Sequence, residues 1–284
     1  MPEPTVPPSL INTATVTRAL SQVVADCPSP VVREQTESTN TDAIELADSG
    51  APQWTVVAAD YQRAGRGRLD RQWLAEPGRA LMFSVILRPG PGIPIDALGW
   101  VPLIAGLAVC DAVRALGVPA GLKWPNDVVL DGRAADGTAG PRKLAGILSE
   151  RVGSAVVVGV GLNVSQEQDQ LPIPAATSLA IEGATGVDRA DLLGSIVASL
   201  RRWWSRFELS NGDAARAGIL DRYRVECLTV GRRVRVLMPG REDSVGIARD
   251  VDPDGHLLLA VDPQAGLPVD TPVAISAGDV IHVM

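Results

Sequence analysis

Lysine is almost absent from this chain. Of 26 basic residues only Lys123 and Lys143 are lysine; the rest are arginine. A bias of composition toward arginine accounts for the count. Even so, where arginine is the default, a remaining lysine marks a place for a compact point charge rather than a planar fork. Histidine is as scarce. His256 and His282 are the only two, both near the C-terminus and in no metal or triad pattern, so histidine chemistry is not expected. Cys27, Cys110 and Cys227 form no CxxC pair and leave an odd number. That excludes a disulfide framework and a structural zinc, and fits a reduced cytoplasmic protein. No apolar run approaches the roughly 18 residues that cross a bilayer. The opening MPEPTVPPSL has no basic flank and no apolar stretch, so it reads as a frayed leader and not as a secretory signal. The common phosphate cradles are missing as well. No G-x-x-x-x-G-K-[ST] occurs, and GVGLNV (159–164) lacks the third glycine of a dinucleotide fingerprint.

What is present suits a globular protein. Of 284 residues, 46% are hydrophobic and 21% charged, enough for a large core in one large domain, or in one large and one small. The net charge of −7 and an isoelectric point near 4.9 argue against general nucleic-acid binding, which needs cationic surface to neutralise phosphates.

Element signals come in mixed order. TATVTRALSQVVADC (13–27) reads as a helix capped by Thr13, and VVREQTE (31–37) as a strand. STNTDAIELADSG (38–50) reads as a second helix with Ser38, Thr39 and Asn40 supplying cap oxygens. WTVVAADY (54–61) and ALMFSVIL (80–87) are buried strands, 96–116 an apolar helix, and GLKWPNDVVL (121–130) a strand broken at Pro125. DGRAADGTAGPR (131–142) is a flexible loop, 143–164 a hairpin turning at Gly153-Ser154, and 188–222 a helix. From about Leu228 the chain becomes short strands with turns, as in a small β-barrel. The fold class is therefore α+β: a mixed sheet packed with helices, plus a small C-terminal barrel. The expected units are an N-terminal leader and helix at 1–30, a main domain at 31–222 and a C-terminal domain at 223–284.

Four segments carry chemistry. YQRAGRGRLDRQW (61–73) places Arg63, Arg66, Arg68 and Arg71 around Gly65 and Gly67, with Trp73 close behind. Glycine lets backbone approach a ligand, and arginine forks suit carboxylate and phosphate oxygens. Ser38, Thr39 and Asn40 open a helix whose N-terminus can receive polar ligand atoms. KWPND (123–127) sets Lys123 beside Asn126 and Asp127, which can hold polar groups or Mg²⁺. Lys143 opens KLAGILSE at the mouth of a buried strand, a position that calls for an anion.

In order, ESTN (37–40), YQRAGRGRLDRQW, KWPND, RKLAGILSE (142–150) and GVGLNV closely resemble the catalytic domain of the biotin protein ligases. The resemblance runs from about residue 30 to 220. The C-terminal strands are similar to the SH3-like domain of that family. It implies a two-step reaction, in which biotin and Mg-ATP give biotinyl-5′-adenylate, and a lysine of a biotin carboxyl carrier domain then takes the biotinyl group. It also implies the site. Biotin would be held by Ser38, Thr39, Asn40, Gln62, Gly65, Arg66, Gly67, Arg68, Lys143 and Gly146. The nucleotide would be held by Arg66, Arg68, Arg71, Trp73, Lys123, Asn126 and Asn163, with metal at Asp127. Lys143 and Arg66 would carry the catalysis. Some members carry an N-terminal DNA-binding domain. About 35 residues precede Glu37, fewer than the roughly 50 of a small domain, so operator binding is not expected, and neither is membrane association.

Overall fold

Unbroken apolar runs such as ALMFSVIL belong to strands covered on both faces, and that is how they are used. The computed structural model describes residues 10–23, 26–69, 71–238, 242–262 and 272–283. Residues 1–9 of the expected leader, 24–25 of the helix expected at 13–27, Asp70 in the arginine loop, and 239–241 and 263–271 among the expected C-terminal strands and turns lie outside the described residues. The main sheet has seven strands: β1 (Val31–Thr36), β2 (Val56–Gln62), β3 (Ala80–Leu87), β4 (Gly121–Lys123), β5 (Asp127–Leu130), β6 (Arg142–Val152) and β7 (Ala155–Asn163). Their order is β1-β2-β3-β7-β6-β5-β4. β1 and β2 pair in parallel, and every other pair is antiparallel.

Alternation along β3 sorts the two faces. Leu81, Phe83, Val85 and Leu87 join the large core under α1 (Thr13–Val23), α3 (Val101–Ala115) and α4 (Arg189–Leu209). Ile86 joins a small cluster with Ala43 and Ala47 of α2 (Thr39–Asp48). Much of this second face is not covered by helix, and the functional cavity lies there.

Several expectations need correction. Asn12, not Thr13, caps α1: its Oδ1 accepts the Thr15 N–H at 3.0 Å, and Thr15 Oγ1 accepts the Asn12 N–H at 3.2 Å. The 96–116 helix begins as a 3₁₀ turn, Asp96–Trp100, before α3. Asp96–Ala115 is also longer and more apolar than the sequence reading allowed, enough to cross a membrane by length and composition. Here it is a core helix, with Leu103, Ile104, Leu107 and Val109 buried in the large cluster. The helix expected at 188–222 is two, α4 and α5 (Ile219–Glu226). Asn211, Gly212 and Gly218 take positive φ between them, which a helix cannot tolerate. The 131–142 loop folds into a small hairpin, with Ala134 N–H bonded to Thr138 O at 2.8 Å and Ala135 N–H to Pro174 O at 3.0 Å. The three thiols are free.

The C-terminal unit is a five-stranded antiparallel sheet: β8 (Arg233–Leu237), β9 (Ser244–Val251), β10 (Leu257–Val261), β11 (Val273–Ile275) and β12 (Asp279–His282). Its order is β11-β10-β9-β8-β12, with no ladder closing it among the described residues. β11 and β12 are opposite edges, yet only residues 276–278 join them. Laid flat, four strand gaps would separate the edges by about 19 Å, while four residue steps reach at most about 14 Å. The short connection therefore forces the sheet to curl, as an SH3-like domain does. This unit is tied to the main sheet: Leu228 N–H bonds Leu122 O at 2.7 Å, and Trp124 Nε1 donates to Gly255 O at 3.0 Å.

His282 lies at that seam, with Nε2 3.4 Å from Thr229 Oγ1. Burial, helped by Lys123 and Arg232, pushes its pKa down to about 4. The imidazole is thus neutral when folded and titrates near its ordinary 6.5 when unfolded. The unfolded chain binds the extra proton first, so stability is full above about pH 6.5 and is lost as pH falls toward 4. Thermal melts at pH 7.5 and 5 should show this loss, and His282→Gln should shrink it. An equal loss in the variant would place the titration elsewhere.

Candidate active site

Three glycines make the floor of the site. Gly146 of β6 pairs directly with Gly161 of β7, and Gly159 lies one step on, opposite Leu148. A Cβ on Gly161 would stand 2.5 Å from the Trp73 ring, and one on Gly159 would stand 2.0 Å from Asn40 Oδ1. No side chain fits at either place. Above this floor is a cavity of about 550 Å³, within the roughly 300–1,000 Å³ of small-molecule sites.

At one end stands the N-terminus of α2. Ser38 occupies the cap position without a side-chain cap bond. The expected cap oxygens are replaced by Gln62, whose Oε1 accepts from Thr39 N–H at 2.7 Å and from Thr39 Oγ1 at 3.0 Å. The Gln62 amide then faces only Met82 Sδ, at 3.4 Å, a weak acceptor that a ligand oxygen can replace with gain. Ser84 Oγ sits 2.9 Å from Thr39 Oγ1 and 2.6 Å from Asn40 Oδ1.

The arginine loop is a tight hairpin. Gly67 N–H bonds Arg71 O at 2.7 Å and Trp73 N–H bonds Gly65 O at 2.8 Å. Gly65 is a glycine for this closure: a Cβ there would lie 2.3 Å from Trp73 O. The tip is pinned at three places. Arg66 Nη2 lies 2.6 Å from Glu150 Oε1. Arg68 donates to Asn126 Oδ1 and to Gly278 O, both at 3.1 Å. Arg71 pairs with Asp279. Burial pulls the Arg68 pKa down from its ordinary value, opposed by the Asp279 and Asp127 carboxylates, so an added anion beside it is welcome. Trp73 lies on the glycine floor with its buried Nε1–H unpartnered.

The two lysines meet at the other end. Lys143 Nζ is 2.7 Å from Asp127 Oδ1 and Lys123 Nζ is 3.8 Å from Asp127 Oδ2. A β-bulge puts Lys143 there. Ala145 and Ile147 point into the large core, and strict alternation would send Lys143 the same way. The register against β5 slips at Val128/Val129 and leaves Leu144 as the extra residue, which turns the ammonium to the cavity side.

The cavity brings together every sequence-predicted site residue except Gly65. Asn163 lines it, but both ends of its side chain are engaged: Nδ2 donates to Thr177 O at 2.8 Å, and Oδ1 accepts from Gln166 Nε2 at 3.0 Å. Sequence reasoning missed Ser84, Glu150, Gly159, Gly161 and Asp279. A lone serine in ALMFSVIL and the glycine pattern of GVGLNV were available signals. Asp279 comes from the far end of the chain, and nothing local marks it. Outside the cavity, ligand atoms of Asp252, Asp254 and His256 lie within 4.8 Å of one another. The Asp252 carboxylate there already accepts the N–H groups of Asp254 and His256.

Residues 32–166 match the model of the biotin/lipoate A/B protein ligase family, and residues 229–283 match that of the biotin protein ligase C-terminal domain. The chain is 42% identical over 253 residues to a biotin–[acetyl-CoA-carboxylase] ligase of Mycobacterium tuberculosis, covering 87% of this chain and 86% of that one. It is 32% identical to the bifunctional ligase/repressor BirA of Bacillus spizizenii, covering 81% of this chain and 68% of that one. Its fold matches the biotin protein ligase of Aquifex aeolicus solved with biotin and ATP, with a TM-score of 0.72 and 24% identity, covering 89% of this chain and 99% of that one. With a glycine floor, a helix N-terminus at one end and a cluster of cations at the other, the chain belongs to the biotin/lipoate A/B protein ligase family, among its biotin protein ligases.

Proposed function

We infer that this chain activates biotin with ATP to biotinyl-5′-adenylate and passes the biotinyl group to one lysine of a biotin carboxyl carrier domain of an acyl-CoA carboxylase. The observation that carries this reading is the convergence of Arg66, Arg68, Arg71 and Lys143 on one glycine-floored cavity. Joining a carboxylate to an α-phosphate brings two anions together, and fixed cations in a water-poor site lower that barrier. The uncharged bicyclic head of biotin suits the end with Ser38, Thr39 and the Gln62 amide. The carboxylate and phosphates suit the arginine and lysine end. Trp73 offers a ring face and an unpartnered N–H to the nucleotide. In the second step the acceptor amine attacks the acyl carbon, the acyl–phosphate bond breaks and AMP leaves.

Mg²⁺ fits as a companion of the phosphates. The carboxylates near the cavity (Asp127, Asp279 and Glu150) each already face a cation. A metal at Asp127 would have to share it with Lys123 and Lys143. Mg²⁺ that keeps its waters and sits mainly on substrate phosphates fits better. We place the protein in the cytoplasm, with the catalytic unit at 31–222 and the C-terminal unit at 223–284. We propose no nucleic-acid partner, consistent with the acidic isoelectric point.

ATP–pyrophosphate exchange, run with biotin, lipoate or octanoate, tests the reading. Exchange is expected with biotin alone. Exchange with lipoate or octanoate would keep the chemistry and overturn the substrate. No exchange with any of the three in folded protein would overturn the activity. The match of 229–283 to a biotin protein ligase domain favours biotin over its rivals.

A further inference from the structure

One wall of the cavity is a segment with no regular structure of its own. Pro172, Ile173, Ala175 and Ala176 line the site, and the segment lies along the start of β6. Lys143 N–H bonds Ala175 O at 2.7 Å, and Thr177 N–H bonds Lys143 O at 2.8 Å. It therefore walls the lysine end. Arg142, next to Lys143 in the chain, stands outside the cavity lining, and so do Thr177 and Glu182. The Arg142 guanidinium grips both oxygens of Glu182, with Nη2 3.0 Å from Oε2. The same carboxylate accepts the Thr177 hydroxyl. We propose that Arg142 and Glu182 are a positioning pair: they clamp the 172–177 wall to β6 and so set the affinity for the nucleotide, without touching it. This rests on the function proposed above, which puts the nucleotide at the lysine end.

The clamp is anchored on both sides. Glu182 sits in a turn that begins at Ser178. Ser178 Oγ donates to Gln166 O at 2.7 Å and accepts Ile181 N–H at 3.2 Å, and Glu182 N–H bonds Ser178 O at 3.1 Å. Thr177 O takes Asn163 Nδ2 at 2.8 Å, which ties the wall to β7 as well. On the other side, Arg142 packs against the hairpin at 131–142, where a Cβ on Gly132 would stand 3.2 Å from its Nε. That hairpin holds the wall through the Ala135 N–H bond to Pro174 O, at 3.0 Å. The side chains of Arg142 and Glu182 are 21% and 12% exposed. A two-pronged pair so shielded from water is stronger than one at the surface. Its charges match, so Arg142 adds no free cation to the site.

Steady-state pyrophosphate exchange on the full-length chain separates a clamp from a charge. Glu182→Gln keeps the shape and frees the Arg142 charge. A loosened wall should raise the KM for ATP about tenfold, with kcat and the KM for biotin within about twofold, because binding is lost equally before and in the transition state. If Arg142 served the phosphates as a cation, the same variant would leave the KM for ATP unchanged or lower it, and that would overturn the proposal. Thr177→Val loses only the hydroxyl and should raise the KM less. It decides the matter if Glu182→Gln does not fold. Arg142→Lys keeps the charge without the fork and should resemble Glu182→Gln. A second readout needs no activity. In the ligand-free chain, Glu182→Gln should speed hydrogen exchange at the amides of Lys143, Ala176 and Thr177 about tenfold, while those of β3 keep their rates. Unchanged exchange at those three amides would overturn the clamp. If the parent chain exchanges no pyrophosphate, the proposed activity falls, the amides still decide the clamp, and calorimetric titration with ATP decides its effect on affinity. A parent chain that binds no ATP would overturn that effect.

Discussion

Lys143→Ala lowers the rate of adenylate formation by about 10²–10³-fold, the loss expected when one preorganised charge is removed from a developing anion. The fold should survive, because the ammonium lies at the cavity and the neighbouring core is filled by Leu144, Ala145 and Ile147. The effect should appear in pyrophosphate exchange at saturating biotin and ATP. A rate like that of the parent chain would remove Lys143 from its role. Lys143→Arg should rescue poorly. Gly146 sits so close that a Cβ there would be 3.2 Å from Lys143 Nζ, and a planar guanidinium does not fit where a point charge does. Lys143 is held by Asp127, which also faces Lys123. The scarcity of lysine is thus resolved in space: both lysines in the chain converge on one carboxylate beside the arginine loop.

How much of this was legible depended on how local each cause was. The arginine loop was readable because glycine and arginine declare themselves in a short run, and KWPND and KLAGILSE because each places a charge at a strand end. The strands at 54–61, 80–87 and 143–164 could be foreseen from their apolar runs, whereas 121–130, read as one strand broken at Pro125, is two, β4 and β5. The break between α4 and α5 was written in Asn211, Gly212 and Gly218, which take positive φ. The bulge at Leu144 was not readable, since register is set by the partner strand. Gln62 capping α2, Glu150 reaching Arg66 and Asp279 reaching Arg71 join residues 23, 84 and 208 positions apart. Only the folded sheet brings such pairs together. The curl of the C-terminal sheet likewise follows from a three-residue link between its two edges, which the sequence shows only once the strand order is known.

Arg189→Met should destabilise the chain by about 3–5 kcal/mol, the cost of leaving a buried charge without its partner. Arg189 Nη2 lies 2.6 Å from Asp60 Oδ1, and both side chains are only 3% exposed. The pair joins the start of α4 to β2. Arg189 Nη1 also donates to Ala80 O at 3.0 Å, and Asp60 Oδ1 also accepts Ile11 N–H at 3.2 Å. Denaturant unfolding should show a lower midpoint at unchanged slope, the mark of lost stability without a change in the surface exposed. Adding Asp60→Leu should recover much of the loss, because removing both charges also removes their desolvation cost. A single variant as stable as the parent would mean that Asp60 finds water or another donor. Asp60 stands two residues before Gln62 on the strand that feeds the arginine loop, so the base of the loop is anchored by a buried pair. Its tip is held by pairs whose arginines are largely exposed, with side chains of Arg66 and Arg71 at 46% and 60%. Buried pairs resist opening and exposed ones yield to solvent and competing anions. Arg189→Met should therefore lower stability while leaving pyrophosphate exchange unchanged at temperatures where the chain stays folded. Arg66→Ala should do the reverse, weakening pyrophosphate exchange with little change in stability.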